Sequence, residues 1–272
     1  MAGKTALITG CSAGGIGHEL AKMLAAKGYT VFATVRTAAK AGDLTSTENV
    51  NVLEMDVRDE ASVKSGLAQA GEIDVLVNNA GFEVWGALEE MTVDDIKDQF
   101  ETNVYGPFRL ILGVLPAMRS RGSGVVINVS SVAGRVGAPL NGLYAASKYA
   151  LEALSETLHY ECQRFGIRVH VIEPGFVATS FGSNRRLVGA AAGKESPYSE
   201  LVSQWEAVSE RVAPGGRSTP ADVAGVIAGA IESGDKLRYP ATPDATVIFA
   251  ARKAMDDEQF EAAMRQQLGL TW

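Results

Sequence analysis

Apolar runs alternate with helical patterns along the first two-thirds of this chain, and this alternation constrains its fold more than any other feature. Six short apolar runs predict buried strands: TALITG, TVFATV, NVLEMD, DVLVNNAG, VVINVSS and RVHVIEPG. The stretches between them favour helices. Strands that alternate with helices form a parallel sheet with helices on both faces. We therefore predict an α/β fold, a doubly wound parallel sheet of the Rossmann type, in one domain over residues 1–272.

Four helices are expected between these strands, one of them near residues 60–70. In the first, apolar residues recur every four positions, at Ile16, Leu20 and Leu24. Gly28 stands where such a helix commonly ends. The helix after the fourth strand has four apolar residues predicted on one face: Phe108, Ile111, Leu112 and Leu115. A long helix is predicted from about 144 to 164.

The turns after four of the strands are unusual in their glycine and polar content: TGCSAGGIG, NNAG, NVSS and EPG. In doubly wound sheets, ligands bind beyond the carboxyl ends of the strands, where the strand order reverses. We therefore expect these turns to lie at one edge of the sheet and to form the functional site.

The composition limits the possible partners and compartments. A formal net charge of −7 argues against a general nucleic-acid binder, which needs a basic face. Cys11 and Cys162 have no metal-binding spacing, so we predict neither a disulfide framework nor a metal site. No apolar run approaches the roughly 18 residues of a membrane span, and no secretory signal is evident, which predicts a cytoplasmic protein.

The turn TGCSAGGIG lies between the first strand and the first helix. Its glycines permit a tight turn, and the helix offers free N–H groups and a partial positive charge. Both suit a pyrophosphate, so the turn predicts the phosphate end of a dinucleotide site. The spacing of its four glycines matches neither GxGxxG nor the P-loop.

The second strand ends at Arg36, where many dinucleotide folds have an acidic residue. An Asp or Glu there binds the adenosine ribose hydroxyls, whereas a cation can pair with a 2′-phosphate. The sequence therefore favours NADP(H) and leaves NAD(H) open. The alternative is that Arg36 is merely solvated.

Tyr144 and Lys148 are four residues apart in YAASK and so share one face of a helix. A phenol has a pKa of about 10, and a nearby ammonium group favours its ionised form. The pair therefore predicts a general acid/base. Ser131, at the end of the fifth strand, can hydrogen-bond the reacting oxygen. Asn103 is a poor helix former in a helical stretch and can hold a water.

The glycine turn, NNAG, Asn103, Ser131 and the pair Tyr144 and Lys148 follow one another along the chain. In this order and spacing they resemble the motifs of the short-chain dehydrogenase/reductase family, over nearly the whole chain. The resemblance implies that Tyr144 is the acid/base, that Lys148 lowers its pKa and that Ser131 polarises the substrate carbonyl. It also implies that Asn103 anchors a water. The implied cofactor-binding positions are Gly10, Ser12, Gly15, Ile16, Gly17, Arg36, Asp56, Val57, Asn79, Ala80, Gly81, Tyr144, Lys148, Pro174, Gly175, Val177 and Thr179.

The glycine turn departs from the family pattern by one extra residue. Gly17 stands one position further from Gly10 than the family spacing has it. We align Gly10, Gly15 and Gly17 with the three glycines of the family. This alignment leaves open which of residues 11–13 contacts the phosphates.

The substrate region is predicted to be lipophilic. GAPLNGLY and FATVR are similar to the branch that contains 17β-hydroxysteroid dehydrogenase type 1 and the retinol dehydrogenases. The expected pocket positions are largely apolar: Trp85, Val136, Leu140, Leu143, Phe176, Phe181 and Trp205. Such a pocket fits a bulky secondary alcohol or ketone. We therefore expect a hydroxysteroid of the 17β type or a similar lipophilic substrate.

Residues 180–218 differ from the rest, being rich in Gly, Ser and Ala with no strand pattern. Within them, apolar positions recur at helical spacing: Leu201, Trp205, Val208 and Val212. We predict a substrate lid with a short amphipathic helix. The alternative is a surface loop with a core-packing helix.

Other functions stay open at this point. The substrate could be a retinoid or an aryl ketone, and Arg185 with Arg186 would suit an anionic lipid ketone or lipid phosphate. In a different class, the chain could be a catalytically silent dinucleotide sensor. The resemblance also implies a homodimer or homotetramer, built through the helices after the fourth and fifth strands.

Overall fold

The computed structural model describes residues 3–179, 181–182, 185–209 and 217–270. Its strands are β1 (Thr5–Ile8), β2 (Thr30–Val35), β3 (Val50–Glu54), β4 (Val75–Asn78), β5 (Val84–Trp85), β6 (Gly124–Val129), β7 (Ile167–Glu173), β8 (Arg186–Leu187) and β9 (Arg238–Pro240). Its helices are α1 (Ile16–Ala26), α2 (Glu60–Ala70), α3 (Val93–Phe100), α4 (Gly106–Arg121), α5 (Gly142–Gln163), α6 (Ser199–Ser209), α7 (Pro220–Ser233), α8 (Pro243–Ala254) and α9 (Asp257–Leu268). Among the described residues, no helix is long and apolar enough to cross a membrane.

Seven parallel strands form the central sheet in the order β3–β2–β1–β4–β6–β7–β9. The order reverses at β1, where Ala6 pairs with Val31 of β2 on one side and Val75 of β4 on the other. The six predicted strands are present as β1 to β4, β6 and β7. The predicted α/β class and doubly wound parallel sheet are therefore confirmed.

Strand side chains alternate between two cores, one on each face of the sheet. Ala6 and Ile8 belong to the core that α1 and α7 cover, whereas Leu7 belongs to the core that α2, α4 and α5 cover. Both cores hold the strands so that their carboxyl ends meet at one edge, where the four unusual turns lie.

The predicted face of α1 is confirmed. Leu20 and Leu24 are fully buried, and Ile16 packs against the same core. Gly28 comes directly after the C-cap residue Lys27 and has a φ of +84°, which glycine adopts without steric cost.

The buried face of α4 differs from the predicted one. The buried apolar positions are Leu110, Ile111, Val114 and Met118. Leu112 is 61% exposed, so its assignment to the same face as Ile111 is wrong. Because an α-helix turns about 100° per residue, Leu112 lies beyond the edge of a stripe centred on Leu110 and Ile111.

Residues 180–218 contain a strand that their sequence does not indicate. In β8, Arg186 N donates to the carbonyl of Glu83 at 2.8 Å, and Val188 N donates to the carbonyl of Trp85 at 3.1 Å. The strand has two residues, too few to show an alternating pattern. It pairs with β5 and so attaches the region to the edge of the predicted site.

The amphipathic helix predicted in the same region is present as α6. It contains Leu201, Trp205 and Val208, and the first two are partly buried. The fourth position of the predicted stripe, Val212, lies outside the described residues.

The sequence patterns defined no element after residue 218, although α7 begins with a readable signal. Thr219 Oγ1 accepts from Asp222 N at 3.2 Å, and the Asp222 carboxylate accepts from Thr219 N at 2.8 Å. This capping box, with Pro220 at the first helical position, fixes the start of the helix.

Candidate active site

Asn103 lies in a wide helical turn, Glu101–Tyr105, between α3 and α4. Turns of this kind are rare and often occur at functional sites. The Asn103 side chain is fully buried. Its amide accepts from Phe82 N at 3.1 Å and donates to the Phe82 carbonyl and to Ser147 Oγ, each at 3.0 Å. The side chain therefore joins the turn to the segment after NNAG and to α5.

Tyr144 and Lys148 lie on the first two turns of α5, and both are buried. Lys148 Nζ is 5.6 Å from the centre of the Tyr144 ring. It donates a hydrogen bond to the carbonyl oxygen of Val129, the last residue of β6, at 2.8 Å. The expected shared face is therefore present, and the ammonium is fixed against the sheet edge.

Ser131 follows β6 and faces Tyr144. Its Oγ accepts from Ala133 N at 3.1 Å, which holds the side chain in place. The hydroxyl also hydrogen-bonds the Tyr144 side chain, and this bond lowers the pKa of the phenol. Ser131 and Tyr144 can therefore contact one and the same substrate oxygen.

In the protein without ligand, burial is the main cause of the shifted pKa values of Tyr144 and Lys148. It raises the pKa of Tyr144 above its usual value, and the charge of Glu83 adds to the effect. It lowers the pKa of Lys148 to about 8, against the opposing influence of Glu152. Tyr144 is therefore protonated at neutral pH before a ligand binds, which is the form that can donate a proton.

The glycine turn packs against NNAG through two glycines. Gly10 has a φ of +73°, and a Cβ on it would lie 2.8 Å from Ala80 Cα. A Cβ on Gly17 would lie 2.7 Å from Asn79 Nδ2. The Asn79 amide donates to the carbonyls of Thr9 and Gly10, at 2.9 and 3.0 Å. The ends of β1 and β4 are thus joined where the strand order reverses.

The glycine turn also contacts the loop after β2. Ala13 N donates to the Lys40 carbonyl at 2.8 Å. A Cβ on Gly42 would lie 2.9 Å from Ala13 Cβ. Cys11 is fully buried beside these residues, and burial raises the pKa of its thiol to about 12. The thiol is therefore a turn filler that stays protonated at neutral pH.

The start of α1 fits the phosphates of a dinucleotide. Side chains cap five of the other helices: Asp59, Thr92, Thr219, Thr242 and Asp256. Gly15, at the N-terminus of α1, makes no side-chain cap and leaves the first N–H groups of the helix to a ligand. Ile16 and Gly17 open the helix, and the Ser12 carbonyl accepts from Gly15 N at 3.0 Å.

Three charged residues lie together at the predicted adenosine end. Arg36 follows β2 and is exposed. Asp56 follows β3, and its carboxylate accepts from Arg58 Nη2 at 2.9 Å. Arg58 is the main cause that lowers the pKa of Asp56, and Arg36 contributes. The neighbouring Val57 is buried in the core.

Gly81 connects NNAG to the predicted catalytic residues Asn103 and Lys148. A Cβ on Gly81 would lie 3.3 Å from Asn103 Oδ1 and 3.8 Å from Lys148 Nζ. NNAG is therefore in direct contact with the predicted catalytic residues. This contact is expected because the carboxyl ends of parallel strands meet at one edge of the sheet.

The segment Pro174–Thr179 is fixed by residues that the sequence analysis missed. Gly175 N donates to Thr242 Oγ1, and Phe176 N donates to the Asp244 carboxylate, both at 2.9 Å. Val177 pairs with Ser218, and Thr179 Oγ1 accepts from Phe181 N at 3.2 Å. No local pattern marks Thr242 or Asp244 as partners of a segment some 67 residues earlier.

The predicted pocket residues lie in two places. Trp85, Leu140 and Trp205 pack together in one apolar cluster, which also holds Val202. Leu140 has a φ of +64°, a strained conformation for this residue, and its carbonyl accepts from Gly86 N at 2.9 Å. This cluster forms an apolar wall between β5, the start of α5 and α6.

The other predicted pocket residues are dispersed. The Phe181 ring centre is 5.7 Å from that of Tyr144. Leu143 is buried on α5, and Phe176 is partly buried. Val136 lines a cleft against α9 instead, beside Tyr149.

Sequence reasoning missed one carboxyl group in this site. Glu83 is 7% exposed, and its carboxylate accepts a hydrogen bond from the Asn141 amide. Asn141 precedes α5 but makes no side-chain cap there. Burial raises the pKa of Glu83 to about 7, against the charge of Arg185. Neither Glu83 nor Asn141 belongs to a repeating pattern that would have marked it.

A family model described as short chain dehydrogenase matches residues 4–187, which include the glycine turn, Asn103, Ser131, Tyr144 and Lys148. The chain belongs to the short-chain dehydrogenase family. This short-chain dehydrogenase is accordingly an oxidoreductase that interconverts alcohols and ketones with a nicotinamide cofactor.

Several curated relatives are similar to this short-chain dehydrogenase. An uncharacterised oxidoreductase of Schizosaccharomyces pombe is 38% identical, over 87% of this chain and 100% of the relative. The 3-ketodihydrosphingosine reductase of Bacteroides thetaiotaomicron is 33% identical, over 95% and 96%. Bovine retinol dehydrogenase 8 is 41% identical, over 65% and 60%. Human 17-beta-hydroxysteroid dehydrogenase type 1 is 39% identical, over 66% and 59%.

Solved structures give the same family. A short-chain dehydrogenase from Streptomyces avermitilis has a TM-score of 0.78 and 34% identity, over 98% of this chain and 97% of that one. ElxO with NADP bound has a TM-score of 0.69 and 27% identity, over 88% and 94%.

Proposed function

We propose that this short-chain dehydrogenase interconverts a lipophilic secondary alcohol and its ketone, with NADP(H) as the preferred cofactor. The observation that carries the proposal is the convergence of Ser131, Tyr144 and Lys148 at the sheet edge, in contact with NNAG. The glycine turn adjoins NNAG at the same edge and supplies an uncapped helix N-terminus.

When bound, the nicotinamide cofactor supplies or accepts the hydride. In ketone reduction, Tyr144 donates its phenolic proton to the carbonyl oxygen as that oxygen gains negative charge. Ser131 holds the same oxygen by a hydrogen bond and so orients the substrate. Lys148, fixed by the Val129 carbonyl, stabilises the phenolate that remains. In alcohol oxidation, Tyr144 in its phenolate form takes the proton from the hydroxyl.

The preference for NADP(H) is supported by the charge at the adenosine end. Arg36 and Arg58 together exceed the charge of Asp56, so the region favours an added phosphate. NAD(H) remains the alternative cofactor. Binding of both cofactors to one preparation, measured by fluorescence titration, decides between them.

A lipophilic substrate is supported by the apolar wall of Trp85, Leu140 and Trp205. The names of three relatives refer to 3-ketodihydrosphingosine, retinol and a 17-beta-hydroxysteroid. We propose a hydroxysteroid of the 17β type or a compound of similar lipophilicity as substrate. Residues 180–218 would act as its lid, because β8 and α6 contact this wall.

The test is an activity matrix of two cofactors against three substrate groups. Steroid, retinoid and long-chain secondary alcohols are assayed with NADP⁺ and with NAD⁺ beside small polar alcohols. We expect turnover of a lipophilic alcohol, faster with NADP⁺. Turnover of small polar alcohols alone would overturn the lipophilic proposal, and equal rates with NAD⁺ would overturn the cofactor preference.

The anionic substrate is a weaker second candidate. Arg186 pairs with Asp95 at 2.6 Å and with Asp98 at 2.9 Å, so its charge is already balanced. Arg185 rests on Trp85 next to a carboxyl group, which would repel an anion. The silent sensor is disfavoured because the catalytic set is complete.

We also propose a homodimer or homotetramer that forms through α4 and α5, in a cytoplasmic enzyme. Leu112 on α4 and Tyr149 on α5 are 61% and 47% exposed, so a second copy of the chain could cover both side chains. Leu112→Glu should reduce the molar mass measured by light scattering after gel filtration. An unchanged mass would place the contact elsewhere.

A further inference from the structure

Glu83 brings a carboxyl group to the edge of the apolar wall formed by Trp85, Leu140 and Trp205. It is close enough to Tyr144 for its charge to raise the pKa of the phenol. Among the described residues, the Asn141 amide is the one hydrogen-bond donor to this carboxyl. A carboxylate can accept about four hydrogen bonds, so a single neutral donor leaves its charge poorly compensated.

The wall beside Glu83 already holds a cation. The Arg185 guanidinium carbon lies 4.3 Å from the centre of the Trp85 ring, two residues along the chain from Glu83. Its charge acts on Glu83, but no ion pair joins the two among the described residues. An aromatic face with a carboxylate beside it favours a cation. The carboxylate therefore remains available to a second positive group.

We propose that Glu83 and Trp85 form a subsite for a protonated amino group of the substrate, so that the enzyme acts on a lipophilic amino alcohol or amino ketone. This inference rests on the proposed function, because the subsite adjoins Tyr144. The amino group must stand on a carbon near the carbinol, since Glu83 contacts Asn141, three residues before Tyr144 at the start of α5. The apolar wall of Leu140 and Trp205 would hold the rest of the molecule.

Arg185 competes with such a substrate for the same wall. It covers the Trp85 face from the segment that precedes β8. A substrate that carries its own cation must displace this guanidinium or share the wall with it. Removal of the Arg185 charge should therefore favour the amino substrate over its amine-free counterpart.

A purely structural role for Glu83 makes a different prediction. In that role the carboxyl group only ties β5 to the start of α5 through Asn141. Glutamine keeps an oxygen that can accept this bond, so Glu83→Gln would not change the preference between substrates. The substrate preference therefore separates recognition from structure.

The experiment compares a long-chain secondary alcohol with its analogue that has an amino group on the neighbouring carbon. The ratio of their kcat/KM values with NADP⁺ is measured in the wild type and three variants. We expect the wild type to prefer the amino alcohol, and Glu83→Gln to lower the ratio about tenfold or more. Arg185→Met should raise it. Glu161→Gln, an exposed carboxylate on the far part of α5, should keep it.

An unchanged ratio in Glu83→Gln would overturn the proposal, as would a wild-type preference for the amine-free alcohol. If Glu83→Gln fails to fold, Arg185→Met decides, because a ratio that does not rise overturns the proposal. Turnover of neither alcohol would instead overturn the proposed function. Equal turnover of both leaves the proposed function standing and removes this inference.

Discussion

Asn103 in the wide turn Glu101–Tyr105 donates a hydrogen bond from Nδ2 to Oγ of Ser147 on α5, at 3.0 Å. Ser147 Oγ in turn donates to the carbonyl oxygen of Tyr144 at 2.7 Å. Both side chains are fully buried. The contact therefore couples the position of Asn103 to the helical turn that carries Tyr144, the proposed acid/base.

Ser147→Ala should weaken this coupling. The Asn103 amide would lose a buried partner, which costs about 1–3 kcal/mol of the free energy of unfolding. We also expect a lower kcat, because the turn that carries Tyr144 loses a fixed contact. Chemical denaturation and steady-state kinetics test both. Ser203→Ala, on the exposed side of α6, should change neither, and an unaltered Ser147→Ala would show that the contact is dispensable.

Tyr144→Phe should abolish proton transfer without affecting the cofactor site. We expect kcat to fall by about 10²- to 10⁴-fold, since the ring remains and only the hydroxyl is lost. The dissociation constant of the cofactor, measured by fluorescence titration, should stay the same. Tyr160→Phe, which removes an exposed hydroxyl from the same helix, is the matched control. Turnover retained by Tyr144→Phe would remove Tyr144 from the mechanism.

The contribution of Glu173 to the free energy of unfolding should fall between about pH 4.5 and pH 7. Burial, with the nearby charge of Glu152, raises the pKa of Glu173 from 4.5 to about 7. In this window the folded protein binds more protons than the unfolded chain, so rising pH destabilises it. Glu173→Gln should reduce the decline, whose full size for one carboxyl is on the order of 3 kcal/mol. Glu83 titrates in the same range, so part of the decline should persist.

Denaturation curves at the two ends of this pH range measure the effect. Glu161→Gln, an exposed carboxylate, should show the wild-type decline. A wild-type decline in Glu173→Gln would mean that Glu173 is ionised in the folded protein throughout this range.

Arg36→Ala should weaken NADP⁺ binding and leave NAD⁺ binding nearly unchanged. A charge-assisted hydrogen bond to a phosphate contributes about 1.5–3 kcal/mol, so we expect at least a tenfold rise in the dissociation constant for NADP⁺. Titration with both cofactors at one ionic strength checks the difference. Arg119→Ala, an exposed arginine near the end of α4, controls for the loss of a charge. Parallel losses for both cofactors would assign the 2′-phosphate to another residue.

The fold, and the shared helix face of Tyr144 and Lys148, could be predicted from the sequence because their signals are local. The strands of the sheet are short apolar runs, and Tyr144 and Lys148 are separated by one helical turn. Glu83 and Arg185 could not be predicted as neighbours, because β5 and β8 bring them together with two residues each. Leu112 was placed on the wrong face because packing against the core, and not spacing alone, sets the rotation of a helix.

The backbone hydrogen bond from Ala13 to Lys40 links the glycine turn to the segment after Arg36, at the two ends of the proposed cofactor cleft. The phosphate turn and the segment after Arg36 then behave as one unit, because a shift in either is transmitted through this contact. Discrimination between dinucleotides is in that case a joint property of residues 11–15 and 36–42. An attempt to convert the cofactor preference would have to redesign both segments together.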